Sequence, residues 1–121
     1  MKVSIVQAGI GPMTLSENRK VIFDGMDEAL SSNPDVIVLP EMWNSGFYPE
    51  KFTDHDDYKE SELQQALSDF ARSHNVNLVA GSITVREKVS RANRSFIYDR
   101  EGHLLGTYDK AHLFPVGEEK N

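Results

Sequence analysis

One run of apolar residues constrains the fold more than any other feature of the sequence. The segment Asp35-Val36-Ile37-Val38-Leu39 has no polar residue after its first position, which is typical of a strand covered on both faces. The β-branched segment Lys2 to Ala8 predicts an earlier strand, and residues with helical spacing lie between the two. A strand, a helix and a strand within about 40 residues predict a βαβ unit with parallel strands.

Start signals and apolar periodicity predict two helices. Thr14 and Glu17 match a capping box, in which each side chain accepts a hydrogen bond from the other residue's backbone N–H. The helix that begins at this capping box is predicted to end before Pro34. Ser61 and Gln64 form a second capping-box candidate. The helix after them has the spacing of an amphipathic helix, with apolar residues Leu63, Ala66, Leu67, Phe70 and Ala71.

Three further strands are predicted in the second half of the chain. The segment Asn77 to Val85 is a strand interrupted at Gly81, and the segments Arg94 to Tyr98 and Leu104 to Tyr108 flank a turn that contains Gly102. Glycine readily adopts the positive φ that tight hairpin turns require. Together these elements predict an α/β fold, with helices on one face of a mixed sheet.

Composition limits the classes of partner and site. The 121 residues include 13 Lys and Arg against 19 Asp and Glu, a net charge of −6, and no cysteine. An acidic chain is a poor match for nucleic acid or an anionic membrane, since both attract basic patches. The lack of cysteine excludes disulfides, thiolate metal sites and a cysteine nucleophile within the chain. No apolar run approaches a membrane span or signal peptide, so we expect a cytoplasmic protein.

Metal and dinucleotide sites find little support in the sequence. Asp54-His55-Asp56-Asp57 resembles a metal cluster, but adjacent loop residues rarely converge on one ion and the spacing of calcium loops is missing. Gly9-Ile10-Gly11-Pro12 follows a strand but lacks the third glycine of the dinucleotide-binding fingerprint. We therefore expect neither a metal nor a nucleotide cofactor.

Glu41 is the first candidate for catalytic chemistry. It follows a buried strand within Leu39-Pro40-Glu41-Met42-Trp43-Asn44-Ser45-Gly46-Phe47, and ligands of open α/β sheets bind at the carboxyl ends of strands. Partial desolvation by Trp43 and Phe47 would make this carboxylate a better base near neutral pH. The alternative is an ordinary loop glutamate that caps a helix or pairs with a cation.

Lys110 is the second candidate. It follows a predicted strand within Tyr108-Asp109-Lys110-Ala111-His112-Leu113-Phe114, and a lysine there can stabilise a developing oxyanion by charge-assisted hydrogen bonds. A surface lysine is the alternative reading of the same residue. Glu118 and Glu119 follow near the end of the sequence, where an acidic pair is usually solvated.

These two segments together resemble the motifs of the nitrilase superfamily, the carbon–nitrogen hydrolases. Leu-Pro-Glu after a strand is similar to the base motif, and Tyr-Asp-Lys-Ala-His-Leu-Phe is similar to the lysine motif. The opening strand, Leu78-Val79-Ala80-Gly81-Ser82 and Asn93-Arg94-Ser95 also resemble the family, in order. The subgroup most similar is that of ω-amidase-like bacterial members. The resemblance implies the N-terminal half of a four-layer αββα sandwich, with residues 1–121 as a partial domain.

The resemblance also implies a Glu-Lys-Cys mechanism for hydrolysis of small amides, without a metal or organic cofactor. Glu41 would be the general base and Lys110 the oxyanion stabiliser, while Glu119 or Glu118 would orient substrate and water. Trp43 and Phe47 would line the substrate pocket.

The family cysteine follows the lysine motif in a segment that this chain does not reach. We therefore expect the chain to be truncated before the nucleophile and to be inactive by itself. Its apolar sheet would be covered in a homo-oligomer. A non-catalytic binding domain on the same scaffold is the alternative function.

Overall fold

The computed structural model describes residues 1–9, 14–45, 60–86 and 91–110. Five strands form one sheet in the order β1-β2-β3-β4-β5, and two helices accompany it. The elements in chain order are β1 (Val3–Ile5), α1 (Leu15–Ala29) with a 3₁₀ turn (Leu30–Ser32), β2 (Val36–Val38), α2 (Glu60–His74), β3 (Asn77–Arg86), β4 (Arg91–Tyr98) and β5 (Leu104–Asp109). The predicted α/β class is confirmed.

The sheet is mixed, as the sequence predicts. β1 pairs with β2 and β2 with β3 in parallel, whereas β3, β4 and β5 pair antiparallel. The predicted βαβ unit is therefore confirmed for β1, α1 and β2. The β4–β5 hairpin turns at Gly102, whose φ of 85° lies in the region that favours glycine.

The first helix begins as predicted and the second does not. Thr14 and Glu17 exchange two side chain–backbone hydrogen bonds of 3.1 Å, which confirms the capping box of α1. The prediction that Ser61 caps α2 is wrong, because the helix already includes Glu60. The Glu60 carboxylate accepts a 2.8 Å hydrogen bond from Arg94 of β4. This contact between distant segments holds the first turn of α2 and has no signal in the local sequence.

The core lies between the two helices and one face of the sheet. It joins Ile22 and Met26 of α1 and Leu67 of α2 to strand residues such as Ile37 and Leu78. Burial of these apolar side chains supplies the main driving force for folding, about 25 cal/mol per Å². The core therefore packs both described helices on one side of the sheet.

The other face carries an apolar row that no described helix covers. Cα pairing aligns Ile5, Val38, Val79 and Ile97 across four strands, and we call these four residues the uncovered row. Ile5 is 68% and Ile97 is 43% exposed, whereas Val38 and Val79 are half-buried. An apolar row of this kind is typical of a sheet that packs against a further layer.

Gly81 produces an irregularity in β3 rather than the predicted interruption. The strand continues through Gly81, but its pairing with β4 shifts register between Val79 and Ser82. Gly81 has a φ of 59°, and the backbone of Leu39 and Pro40 lies directly beside its Cα. The carbonyl oxygen of Pro40 accepts a hydrogen bond from Ser82 N–H at 3.2 Å. The bulge therefore brings the segment that leads to Glu41 against β3.

Neither α1 nor α2 has the length and hydropathy that a membrane crossing requires, in the part of the chain that the structure describes.

Tyr98 is buried in the core, and its hydroxyl has no hydrogen-bond partner among the described residues. Burial, with a smaller contribution from the negative charge of Glu60, raises the pKa of Tyr98 to about 12. A raised pKa stabilises the fold fully below pH 10, the ordinary pKa of tyrosine, and this stabilisation is lost as the pH rises through 12. Between pH 10 and 12, the free energy of unfolding of the wild-type chain should therefore fall by on the order of 2 kcal/mol more than that of the Tyr98→Phe chain.

Urea unfolding followed by Trp43 fluorescence measures this difference. At pH 7 the Tyr98→Phe chain should match the wild type within about 1 kcal/mol, because the removed hydroxyl forms no hydrogen bond within the described structure. Identical pH dependence of the two chains between pH 10 and 12 would contradict the assignment to Tyr98.

Candidate active site

Glu41 and Lys110 lie in contact, although 69 residues separate them in the sequence. Lys110 Nζ donates to Glu41 Oε1 at 3.3 Å. The lysine side chain is 24% and the glutamate side chain 43% exposed, so both groups stay accessible from solvent. Glu41 begins the turn that follows β2, and Lys110 directly follows β5. The structure thus brings together the two residues that the sequence motifs single out.

The turn of residues 41–45 is fixed by hydrogen bonds to β3. Met42 N–H donates to Ser82 Oγ at 2.9 Å, and Trp43 N–H donates to the backbone oxygen of Ser82 at 3.2 Å. Met42 has a φ of 50°, a left-handed conformation that costs a residue other than glycine about 1–2 kcal/mol. The hydrogen bonds to Ser82 hold the backbone in this conformation directly after Glu41.

Asn44 binds the other end of this turn to β3 by hydrogen bonds. Its side-chain amide donates to Thr84 O at 2.9 Å, and its amide oxygen accepts from Thr84 N–H at 2.8 Å. The amide therefore binds β3 as a neighbouring strand would. Asn18 of α1 donates to the backbone oxygen of Asn44 at 2.9 Å, and the hydroxyls of Ser45 and Thr84 lie 2.6 Å apart. All four of these residues are buried, so their hydrogen bonds make the turn rigid.

Trp43 lies in the core rather than at the surface beside Glu41. Its side chain is fully buried, its indole N–H donates to Ala80 O at 2.9 Å, and its ring meets Phe23 edge-on at 6.4 Å. These contacts support the turn from the helix side of the sheet. The substrate-lining role of Trp43 stays a prediction.

The remaining predicted site residues lie outside the described residues. These are Phe47, Glu118 and Glu119, together with the Asp54–Asp57 segment. Their roles stay predictions.

Lys110 is positioned by backbone pairing and by a neighbouring ion pair. Its N–H donates to Asn93 O at 2.9 Å. Asp109, the preceding residue, accepts two hydrogen bonds from Arg94, at 2.6 and 3.0 Å, and these hold the pKa of Asp109 below its usual value. Arg94 also binds Glu60, and hydrogen bonds to the two carboxylates raise its pKa. This network joins β4, β5 and the start of α2 next to Lys110.

Asn93 of β4 is a residue of the site that the sequence interpretation did not assign to it. Its side-chain amide donates to Glu41 Oε1 at 2.8 Å. Both hydrogen bonds that the described residues make to Glu41, from Asn93 and Lys110, end on Oε1, so Oε2 remains available for another proton. In the sequence, Asn93-Arg94-Ser95 is marked only by its resemblance to the family. A contact between residues 52 positions apart has no local signal.

One cluster of metal-ligand type lies on the β4–β5 hairpin of the described structure. Oxygen and nitrogen atoms of Asp99, Glu101 and His103 lie within 4.8 Å of one another. Asp99 accepts hydrogen bonds from the backbone N–H groups of His103 and Glu101, both at 2.9 Å, and these lower the pKa of Asp99. These hydrogen bonds account for the turn by themselves.

Comparison with known proteins assigns the chain to a family. The family model of the carbon–nitrogen hydrolases matches residues 2–121. The chain is 35% identical over 117 residues to 2-oxoglutaramate amidase of Bacillus subtilis and 32% identical over 119 residues to the hydrolase in the agr operon of Staphylococcus aureus. These matches cover 97% and 98% of the chain but 45% and 46% of the relatives. The chain thus spans about half the length of these relatives.

A solved structure shows the same fold. The amidase of Nesterenkonia sp. AN1 in complex with butyramide has a TM-score of 0.80 at 22% identity, over 99% of this chain and 46% of that one. The family model and the relatives match almost the entire chain. The chain belongs to the carbon–nitrogen hydrolase family, the nitrilase superfamily.

Proposed function

We propose that this chain supplies the base and the oxyanion stabiliser of an amidase active site that hydrolyses small amides. The observation that carries the proposal is the 3.3 Å contact between Lys110 Nζ and Glu41 Oε1. This contact joins a carboxylate on a rigid turn, a proton acceptor, to the lysine amine that follows β5. Acyl transfer requires both groups next to the reacting carbonyl.

The proposed reaction needs a cysteine from outside this chain, which has none. Glu41, through its available Oε2, takes the thiol proton, and the thiolate attacks the amide carbon while Lys110 stabilises the oxyanion. The C–N bond then breaks, and ammonia leaves with the proton that Glu41 held. Water hydrolyses the resulting thioester, which releases the acid and regenerates the thiol. Glu119 or Glu118 would orient substrate and water, Phe47 would line the pocket, and the buried Trp43 would contribute to the pocket from behind the turn.

The proposed substrates are small aliphatic amides, with ω-amides of dicarboxylic acids favoured. One relative is named for 2-oxoglutaramate, and a structure of similar fold contains butyramide. We expect the distal carboxylate of an ω-amide to be recognised outside the described residues.

Two proteins test the proposed activity. The chain alone should release no ammonia from butyramide or 2-oxoglutaramate, because the covalent step has no nucleophile. A chimera in which this chain replaces the matched 117-residue segment of the Bacillus subtilis amidase should release ammonia from 2-oxoglutaramate. Circular dichroism and size-exclusion chromatography identify folded chimera before the assay.

Two results would contradict the proposed activity. Steady turnover by the chain alone would refute the need for an external cysteine. A folded but inactive chimera would instead favour a binding domain on the same scaffold.

We also propose that the chain associates through the uncovered row of Ile5, Val38, Val79 and Ile97. This row joins four strands on the face opposite the core, and soluble proteins rarely leave continuous apolar surface exposed. A second copy of the chain would cover it in a symmetric dimer. Light scattering should give a mass above that of the 13.6 kDa monomer, and Ile5→Lys should restore the monomer. A monomeric wild type at high concentration would contradict this.

A cytoplasmic location is the third part of the proposal. The proposed chemistry needs a reduced thiol, and reducing compartments such as the cytosol keep thiols in that state. Cell fractionation would test it, and recovery from an oxidising compartment would count against it.

A further inference from the structure

We propose that Asn93 is a positioning residue that fixes the Glu41 carboxylate beside Lys110, an inference that rests on the proposed amidase function. Its amide donates to Glu41 Oε1 at 2.8 Å, a shorter contact than the 3.3 Å from Lys110. Asn93 is 6% exposed, whereas Glu41 is 43% exposed at its side chain. A buried side chain with two rotatable bonds therefore restrains a carboxylate that would otherwise be mobile at the surface.

Asn93 contacts both candidate catalytic residues. Its side chain binds Glu41, and its backbone oxygen accepts from Lys110 N–H at 2.9 Å. Its pairing partner on β3 is Thr84, the residue that holds Asn44 at the end of the Glu41 turn. Asn93 thus contacts the Glu41 side chain, the Lys110 backbone and β3, the strand to which the Glu41 turn is hydrogen-bonded.

The buried amide of Asn93 does not serve stability alone. Its Oδ1 is buried without a hydrogen-bond partner among the described residues, which is unfavourable for stability. A β-branched residue would suit this buried strand position better. The amide is an uncharged hydrogen-bond donor. It holds Oε1 in place and does not transfer its proton to Glu41. Glu41 then keeps Oε2 for the thiol.

Kinetics of Asn93→Ala and Asn93→Asp in the chimera separate positioning from packing. Asn93→Ala should lower kcat about 10- to 100-fold, the size of loss known for side chains that orient metal ligands, with KM changed less than about threefold. Asn93→Asp should lower kcat further at neutral pH, because it replaces the donor with a second carboxylate that repels Glu41. A packing role predicts the reverse order, since aspartate has the shape of asparagine and alanine leaves a cavity. Ser95→Ala, two residues along the same strand face, should leave kcat unchanged.

Nuclear magnetic resonance of the chain itself tests the same inference without activity. Glu41→Gln should shift the side-chain amide signals of Asn93. The signals of Asn18, another buried amide that donates to a backbone oxygen, should stay in place and serve as the reference.

The kinetic and resonance measurements distinguish failure of the proposed amidase function from failure of the positioning role of Asn93. A folded, inactive wild-type chimera with the expected Asn93 shift would defeat the proposed function and leave the positioning contact supported. Unchanged Asn93 signals would overturn the positioning inference whatever the chimera does. Alanine more damaging than aspartate in an active chimera would overturn it as well.

Discussion

Glu41→Gln in the chimeric amidase is expected to lower kcat by about 1000-fold or more. Glutamine has the shape of glutamate and its oxygen still accepts from Asn93 and Lys110, which lie 2.8 and 3.3 Å from Oε1. The fold and the turn therefore survive, while the ability to take a thiol proton is lost. General-base catalysis contributes roughly 10²- to 10⁴-fold, so the loss of this base accounts for an effect of that size.

Ammonia release from 2-oxoglutaramate measures this loss, with urea unfolding as the check on folding. Glu28→Gln is the matched control, because Glu28 is an exposed residue of α1 that the site does not use. It should keep wild-type kcat. A Glu41→Gln chimera with more than a tenth of the wild-type rate would remove Glu41 from the role of base.

Gly81→Ala is expected to destabilise the chain by about 3 kcal/mol or more. A φ of 59° costs alanine about 1–2 kcal/mol. The added Cβ would also collide with the Pro40 carbonyl oxygen and lie 2.6 Å from that of Leu39. Backbone atoms cannot rotate away as a side chain can, so β2 or β3 must move. Typical domains have only about 5–15 kcal/mol of stability in total.

Gly106→Ala is the control for this prediction. Gly106 lies in β5 with no atom within 4 Å of its added Cβ, so alanine there should be neutral or stabilising by about 0.4–1 kcal/mol. Urea midpoints followed by circular dichroism compare the two variants. Equal midpoints would show that the Leu39–Pro40 segment does not rest against Gly81.

Much of the fold could be predicted because its signals are local. Residues next to one another in sequence produce the capping box of Thr14 and Glu17, the apolar run of β2 and the glycine of the β4–β5 hairpin. The inclusion of Glu60 in α2 has no local signal, and its carboxylate binds Arg94, which is 34 residues away. The continuity of β3 through Gly81 was missed because the bulge accommodates Pro40, which lies on another segment.

The site was predictable only in part for the same reason. Glu41 and Lys110 each follow a strand in a recognisable motif, so the sequence points to both. Asn93 and the pair of Asn44 and Thr84 act through contacts across 40 to 52 residues. Their side chains are ordinary strand and loop residues until the sheet brings them together. The spacing of these residues along the chain does not predict which of them come into contact in the folded sheet.

The turn after β2 is held largely by main-chain groups of β3. Ser82 O receives Trp43 N–H, Ala80 O receives the indole N–H, and Thr84 offers both its N–H and its C=O to Asn44. Peptide groups are the same in nearly every amino acid, so mutations along this strand leave the attachment points intact as long as its bulge persists. Side-chain substitutions along β3 should therefore leave the glutamate in place.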